Sequence, residues 1–473
     1  MKKKFILALV ILIGLGVRIY FGFEKEYFHM DENYSYGLMN YDKLNITDNE
    51  DFYNEWHDKE YFINYYSVNS NEVNDLKPVY ENQKNDVHPP LYYLLLRGMA
   101  TFQIDSFSKW SGLILNNIIF VISSILIFMI VKKLGKNENL AILTVLVNAL
   151  ILGTIEMSLY VRMYELLSMF ILLLTYVVFL LYEKVSLKNL ILLGITLILG
   201  CLTQYHFCIF AFVIILVLFG FLLKEKRYKD IFKIIITIVI SALSYLIIFP
   251  HAIEHIFFSY RGVNSNEMKL LNVFKYFWIV NQRIVPIGVL LLAFAYFILN
   301  QKRNKQLLFL ILPIVVYFVM IALTTPYQDL RYIMPISGVI IITVLYMIKD
   351  YTPILLICLI AILTPKMQLE MTYSKYGEIV NRIEKEPYPI IFVFNNDNNR
   401  FLDDLYLFTK TEKAMIVKNY NLDPIKEIDS KSLYVIVAEG AEDTLGEISE
   451  RTGLENYQMI QGLNAARIYY FSE

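Results

Sequence analysis

Long runs of apolar residues, separated by short polar loops, dominate the chain. Because a helix needs about 20 apolar residues to cross the hydrocarbon of a bilayer, runs of this length predict membrane-spanning helices. The pattern predicts an all-α polytopic membrane protein with about eleven spans, of which the last is short. The predicted spans cover residues 5–23, 110–131, 139–156, 164–182, 188–204, 206–223, 231–250, 284–299, 306–323, 332–348 and 352–365.

The charged residues in the loops predict how the chain is threaded through the membrane. Residues 2–4 are lysines, and no small-residue cleavage site follows the first apolar run, which is typical of an uncleaved anchor. Lysine and arginine favour the cytoplasmic side, and they concentrate in alternate loops. With a cytoplasmic N-terminus, residues 24–109, 251–283 and 366–473 are expected outside the cell membrane.

The outer segments carry further predicted structure. Residues 24–109 are acidic and rich in tyrosine, and the apolar stretch 91–103 is typical of a helix in the membrane interface. The tail alternates strand-like and helix-like patterns. The strand-like runs cover residues 390–394, 433–438 and 466–471, and the helix-like stretch covers residues 443–452. We expect a transmembrane domain at 1–365, including the loop 24–109, and a small extracytoplasmic α/β domain at 366–473.

The composition excludes some functions. The 473 residues are 56% hydrophobic, and the net charge is −1, so the chain lacks the basic field of a nucleic-acid-binding protein. The three cysteines, Cys201, Cys208 and Cys358, all lie in apolar runs rather than in the polar segments. The sequence therefore predicts no disulfide and no metal site built on sulfur.

Two adjacent acidic residues, Asp31 and Glu32, follow the first span. A carboxylate close to the hydrocarbon and to a second carboxylate can act as a general base, because both neighbours raise its pKa toward neutral pH. A solvated surface turn is the alternative, since such pairs are common on protein surfaces.

Three later motifs carry candidate binding residues. His88 precedes two prolines that open a helix, where it either binds substrate or caps and packs. Arg162 and Arg331, each close to a tyrosine at the start of a predicted span, are expected on the same face of the membrane as Asp31. Arginine suits a bidentate hold on phosphate, although an arginine at the membrane surface can also snorkel to the interface.

Taken in this order, the motifs resemble the C-type glycosyltransferase (GT-C) fold. The shared features are an Asp-Glu pair after the first span, His-Pro-Pro before the second, Arg-x-Tyr at the fourth and Arg-Tyr near the last spans. The resemblance is to the branch with protein O-mannosyltransferases and lipid A aminoarabinose transferases, glycosyltransferase family 39 and its relatives. It covers about residues 1–350.

The resemblance implies roles for individual residues. Asp31 would deprotonate the acceptor hydroxyl, with Glu32 supporting the site, while Arg331 would hold the donor phosphate. An acidic residue after the third span also recurs in the family, and Glu156 is the nearest match. The less polar stretch before Arg162 leaves the second acid open. The expected donor-phosphate and substrate-binding residues are Arg331, Tyr332, Arg162, Tyr164, Glu156, His88 and His206.

Some of these positions admit a structural reading equally well. His206, in the short loop between the fifth and sixth predicted spans, either lines the sugar pocket or packs against neighbouring backbone. The basic residues Arg261, Lys269 and Arg283 either assist with phosphate or anchor the 251–283 segment in the membrane interface.

The sequence favours an inverting glycosyltransferase. A polyprenyl-phosphate sugar would enter from the outer leaflet, and Asp31 and Arg331 would meet across one pocket. The acceptor would be a protein, a lipid or a cell-wall glycan, and the sugar is not determined. A divalent metal on the phosphate stays open, because acidic residues are expected near it.

Two other classes of function remain. A transporter or flippase of lipid-linked glycans would show ionisable groups near mid-span and related halves, neither of which the sequence displays. A membrane scaffold that binds a partner through the tail is the third class. Deleting residues 366–473 would abolish the function of a scaffold, whereas Asp31 would be dispensable.

Overall fold

The computed structural model confirms a mostly helical chain with a small sheet near its C-terminus. It describes residues 2–40, 52–135, 137–258, 270–286, 305–325, 328–347, 369–394, 401–425, 430–463 and 466–473. The longer helices of the described residues are Lys2–Phe23, Met30–Asn40, Lys59–Tyr66, Lys77–Asn85, Leu91–Ala100, Trp110–Gly135, Glu138–Leu150, Leu152–Leu159, Tyr164–Glu183, Leu187–Thr203, Phe207–Lys224, Tyr228–Ile248, Leu270–Arg283, Leu308–Thr324, Ser337–Met347, Gly377–Lys385, Phe401–Phe408 and Leu445–Thr452.

Six helices among the described residues are long and apolar enough to cross a membrane. They are Lys2–Phe23, Trp110–Gly135, Tyr164–Glu183, Phe207–Lys224, Tyr228–Ile248 and Leu330–Met347, and the bent pair Glu138–Leu159 makes a seventh if it is one span. Leu187–Thr203 and Leu308–Thr324 are apolar but shorter. The predicted span 352–365 and most of 284–299 lie outside the described residues. A multi-span membrane protein is confirmed, whereas the count of eleven and the orientation stay predictions.

The predicted third span is broken rather than straight. Its two helices, Glu138–Leu150 and Leu152–Leu159, meet at an angle of 59°. Such a break leaves backbone carbonyls without helical partners, and these must be satisfied inside the protein. Arg18, fully buried in the first helix, donates to the carbonyl of Ala149 at 2.8 Å and to the hydroxyl of Ser158 at 2.8 Å. One buried arginine thus ties both halves of the broken helix to the first span.

The described chain divides into two compact units. The membrane unit contains residues 1–21, 86–92 and 113–369, and the sheet unit contains residues 22–85, 93–112 and 370–473. The predicted division placed the loop 24–109 with the transmembrane domain. In the structure most of this loop groups with the tail instead. The physical reason is that the loop supplies one strand, Trp56–Asp58, to the sheet of the tail.

That strand belongs to a six-stranded sheet. The strands are β1 (Trp56–Asp58), β2 (Ile390–Phe394), β3 (Lys413–Lys418), β4 (Ser432–Ala438), β5 (Asn456–Gly462) and β6 (Ala466–Ser472), in the spatial order β1-β3-β2-β4-β6-β5. The central strands β3, β2 and β4 are parallel, whereas β1, β6 and β5 pair antiparallel. The strand predictions at 390–394, 433–438 and 466–471 are therefore confirmed, while β1, β3 and β5 were not predicted.

The burial of each strand follows from its sequence. β2 and β4 are buried along their whole lengths and are nearly continuous apolar runs, as central parallel strands covered on both faces should be. β5 is largely exposed and polar, which suits an edge strand. The helix predicted at 443–452 is present as a short 3₁₀ turn, Glu442–Thr444, followed by Leu445–Thr452.

Candidate functional site

The acid-bearing region, residues 25–33 of the sheet unit, contains the first turn of the helix Met30–Asn40 and the residues before it. His29 stands directly before this helix, and its carbonyl accepts from the backbone N–H of Glu32 at 2.8 Å. In return, the Glu32 carboxylate accepts from the backbone N–H of His29 at 2.9 Å. The bond from the His29 N–H to the Glu32 carboxylate is the glutamate half of a capping box, and it satisfies an N–H group at the helix start. The Glu32 side chain is therefore part of the local fold.

Glu32 also forms a buried ion pair. Its carboxylate lies 3.1 Å from the Lys25 ammonium, and both side chains are fully buried. Burial lowers the pKa of Lys25, and the charge of Glu32 opposes that effect. Lys25 further donates to the carbonyl of Met371 at 2.8 Å. The pair thus fixes the start of the acid-bearing helix to the tail within the sheet unit.

Asp31 occupies a different environment from its neighbour. Its side chain is 20% exposed, and one carboxylate oxygen lies 3.9 Å from Nδ1 of His29. The same ring nitrogen accepts from the backbone N–H of Asp31 at 3.1 Å. Of the two predicted acids, Asp31 is thus the one whose carboxylate is accessible to a second molecule.

Further hydrogen bonds within the sheet unit hold the acid-bearing region. Asn33 donates to the carbonyl of Leu402 at 2.6 Å and accepts from the Tyr66 hydroxyl at 2.9 Å. The Tyr27 hydroxyl donates to Asp404 at 2.7 Å. Burial raises the pKa of Asp404 to about 8, with a further contribution from nearby Asp403. The framework around Asp31 therefore includes a buried carboxyl whose pKa is raised.

The arginine-bearing region, residues 158–164 and 329–332, lies in the membrane unit. Arg331 donates from Nη1 to the Tyr160 hydroxyl at 3.0 Å, and its Nε lies 3.6 Å from the Asp329 carboxylate. The same aspartate accepts from the backbone N–H of Arg331 at 2.9 Å, which caps the short helix Leu330–Ile333. The two predicted arginine motifs thus contact each other through Tyr160.

A buried asparagine shapes the segment before Arg162. Asn116 donates to the carbonyls of Ser158 and Tyr160, each at 3.0 Å, and accepts from the Tyr92 hydroxyl at 3.1 Å. The helix Leu152–Leu159 ends here, so these carbonyls need partners other than helical N–H groups. Asn116 therefore holds the backbone from which the Tyr160 side chain extends.

Aromatic rings connect three of the predicted binding residues. Tyr164 stacks on Tyr160 with ring centroids 6.1 Å apart, and it meets Tyr332 edge-on at 6.0 Å. His206 contacts Tyr332 edge-on, also at 6.0 Å. Arg331 lies over the ring of Tyr332 at 5.1 Å. The structure thus brings Tyr164, Tyr332 and His206 together beside Arg331.

His88 pairs with an acid that sequence reasoning did not select. Its Nδ1 lies 2.6 Å from the Asp86 carboxylate, and both side chains are mostly buried. Burial acts to raise the pKa of Asp86, but the His88 charge and hydrogen bond, together with the charge of Arg162, hold that pKa well below its ordinary value. Asp86, His88 and Arg162 therefore form one electrostatic cluster in the membrane unit.

Glu156 lies outside this cluster. Its carboxylate accepts from Arg283 at 3.1 Å, and the Glu156 side chain is buried. A second buried acid, Glu165, interacts with Arg18 and hydrogen-bonds to Ser158. Of the three basic residues of the 251–283 segment, Arg261 and Lys269 lie outside the described residues. Among the described residues, no group of three His, Cys, Asp or Glu side chains could hold a metal ion.

Comparisons with known proteins agree with this architecture. Residues 87–253 match the sequence model of a family described as dolichyl-phosphate-mannose-protein mannosyltransferase. The crystal structure of ArnT from Cupriavidus metallidurans bound to undecaprenyl phosphate matches with a TM-score of 0.59 at 9% identity, over 98% of this chain and 97% of that chain. The predicted resemblance to the C-type glycosyltransferases is confirmed. The same C-type fold is found in the apo state of ArnT, with a TM-score of 0.56 at 10% identity over the same shares.

A more distant match completes the comparison. The C-type fold of this chain is also similar to the oligosaccharyltransferase from Archaeoglobus fulgidus, with a TM-score of 0.47 at 10% identity over 94% of this chain and 69% of that chain. No curated protein matches the sequence.

Sequence reasoning missed several partners of the predicted residues. Asp86 stands in the same motif as His88, and Tyr160 in the same motif as Arg162, so both were visible but had no assigned role. Arg18 and Asn116 are polar residues inside apolar runs, which is itself a signal of function or of buried polar contacts. Lys25 carried no such signal, because nothing in the sequence ties it to Glu32.

Proposed function

We propose that this chain transfers a sugar from a polyprenyl-phosphate donor to an acceptor hydroxyl on the extracytoplasmic face of the membrane. The observation that carries the proposal is the likeness to ArnT bound to undecaprenyl phosphate along nearly the whole chain. The family match over residues 87–253 supports the same class of reaction. A lipid donor also suits a chain whose described residues contain six or seven candidate membrane spans, since such a donor remains in the bilayer.

The proposed reaction is an inverting displacement. Asp31 takes the proton of the acceptor hydroxyl as its oxygen attacks the anomeric carbon, and the lipid phosphate leaves from the opposite face. The environments of the two acids support this assignment, because Glu32 serves the capping box and the Lys25 pair. Asp31 is partly exposed on the same helix start. The partially exposed acid is thus the base, and the buried acid positions it.

The leaving phosphate would bind in the arginine-bearing region. Arg331 supplies the charge, and the Tyr160 hydroxyl and the Asp329 carboxylate orient its guanidinium. A fixed guanidinium stabilises the negative charge that develops on the phosphate without further reorganisation. Arg162 adds positive charge and belongs with His88 to one electrostatic cluster, whereas Tyr164, Tyr332 and His206 supply rings suited to pack against a sugar or an isoprenoid unit.

The test uses a strain that lacks this protein. Mass spectrometry of its surface glycans identifies the missing sugar, and the wild-type gene restores it. Asp31→Asn and, separately, Arg331→Ala should lower the transfer rate in membranes about 10²-fold or more. Asp443→Asn and Arg467→Ala are matched controls on exposed positions of the sheet unit and should leave the rate unchanged.

Two outcomes would overturn the proposal. Wild-type transfer by both the Asp31 and the Arg331 variants would exclude the assigned chemistry. Accumulation of an untranslocated lipid-linked glycan in the deletion strain, with Asp31 dispensable, would identify a flippase instead.

A further inference from the structure

Two cysteine thiols lie in contact where two membrane helices meet. Cys201 is in the last turn of Leu187–Thr203, and Cys208 is in the first turn of Phe207–Lys224. Their Sγ atoms are 3.5 Å apart. A disulfide bond joins two sulfurs at about 2 Å, so these sulfurs need to approach by only about 1.5 Å.

The turn between the helices holds the two thiols in this position. The N–H of Gln204 donates to the carbonyl of Gly200 at 3.2 Å, and the N–H of Phe207 donates to the carbonyl of Gln204 at 3.1 Å. The Gln204 side chain accepts from the N–H of His206 at 2.9 Å. These bonds make the turn compact, so the contact between the sulfurs follows from backbone geometry.

A close approach of the two helix ends gives independent support. A Cβ atom added at Gly200 would lie only 2.4 Å from the ring of Phe207. Only glycine leaves room for this ring, so the residue types on either side of the turn match a tight helix pair. The cysteines stand one position beyond these two residues, one on each helix.

We propose that Cys201 and Cys208 form a reversible intramolecular disulfide that tethers the two helices across the Gln204–His206 turn. In the reaction, the S–S bond of a disulfide oxidant breaks as the new S–S bond forms. The oxidant accepts the two electrons and the two protons that the thiols lose, so it is released as two thiols. Cys208 is the more exposed of the two residues, so its sulfur attacks the oxidant and forms a mixed disulfide. Cys201 then displaces the second half of the oxidant.

The proposed disulfide differs from the sequence prediction of no disulfide. That prediction rested on the position of all three cysteines in apolar runs, away from the polar segments that would meet an oxidising compartment. The seven-residue spacing does not show that a turn brings two of the cysteines together. The structure supplies the missing contact. The tether is independent of the proposed function, but its turn carries His206, whose ring contacts Tyr332. It also carries Tyr205, whose hydroxyl lies 2.8 Å from Nδ1 of His255.

The experiment uses the full chain in detergent micelles with Cys358→Ser, which leaves only the proposed pair. The probe is 2,2′-dithiodipyridine, an apolar disulfide that releases a coloured thiopyridone for each thiol that reacts. Formation of the pair should release two equivalents, leave no pyridyl adduct and link the two cysteine peptides in the mass spectrum. Dithiothreitol should restore both thiols.

Single substitutions supply the matched controls. Cys201→Ser and Cys208→Ser should each release one equivalent and retain one pyridyl adduct, because the resolving thiol is missing. If the chain with both cysteines instead keeps two adducts, or if the linked peptide is absent, the proposed disulfide does not form. Amide exchange at residues 204–206 should slow on oxidation by roughly tenfold, and unchanged exchange would exclude a tether across the turn.

Discussion

The acid-bearing and arginine-bearing regions hold their functional side chains by different means. The first is fixed by ionisable groups that are wholly buried, the Lys25–Glu32 pair and the Tyr27–Asp404 hydrogen bond. The second is fixed mainly by neutral groups, the Tyr160 hydroxyl and the Asn116 amide. The difference implies that pH and charge-removing substitutions should loosen the base more than the phosphate site.

The largest expected effect is a dependence of stability on pH through Asp404. Its pKa is about 8 in the folded chain and about 4 when unfolded, so the folded state binds the proton more tightly. The stabilisation is therefore complete below about pH 4 and is lost progressively as the pH rises toward 8. Hydrogen exchange of β2 and of the helix Phe401–Phe408, corrected for intrinsic rates, should show protection falling over this range.

The variant Asp404→Asn shows how much of the pH dependence comes from Asp404 rather than from other titrating groups. The amide carbonyl can still accept from Tyr27, but it carries no proton to lose, so the protection should become nearly flat with pH. The arginine-bearing region is the internal reference, because the Tyr160 hydroxyl and the Asn116 amide that hold it are neutral groups. An equal slope in the variant and the wild type would show that another group dominates.

The second effect is the loss of the Glu32 charge. Glu32→Gln leaves the Lys25 ammonium buried without its counter-charge, which costs about 3–5 kcal/mol in comparable buried pairs. The thermal midpoint of the sheet unit in detergent should fall accordingly. Lys25→Met with Glu32→Gln removes both charges and should recover much of the loss. Full stability of the single variant would contradict the assignment of Glu32 to the fold.

The multi-span helical character of the chain, the two motif arginines and the Asp31–Glu32 pair were readable from the sequence because each depends on local pattern. The distinction between Asp31 and Glu32 was not, since it rests on Lys25 and on a tail carbonyl more than 330 residues away. β1 has only three residues and no apolar alternation, so its pairing with β3 left no signal. The strand β3, Lys413–Lys418, does contain an apolar run, but the sequence analysis did not predict it as a strand.

The third effect tests whether base and phosphate site serve one chemical step. Asp31→Asn and Arg331→Ala should each cost about 10²-fold in transfer, as proposed above. If both residues act in the same transition state, the double variant should lose much less than the product of the two single losses. Combining Arg331→Ala with Asp443→Asn is the control, and it should match Arg331→Ala alone. Fully multiplicative losses would show that the two residues contribute independently of each other.

The smallest effect concerns how Tyr160 orients Arg331. Tyr160→Phe keeps the ring that stacks on Tyr164 but removes the hydroxyl that accepts from the guanidinium. A hydrogen bond to a charged group contributes about 1.5–3 kcal/mol, so the donor concentration for half-maximal rate should rise roughly tenfold or more. The maximal rate should change less, because the charge itself remains. Tyr346→Phe, which removes a hydroxyl that donates to the carbonyl of Leu134, is the matched control. If Tyr160→Phe leaves the donor concentration for half-maximal rate unchanged, Asp329 alone is sufficient to orient Arg331. The arginine-bearing region would then also depend on a charged group, and the contrast with the acid-bearing region would not hold.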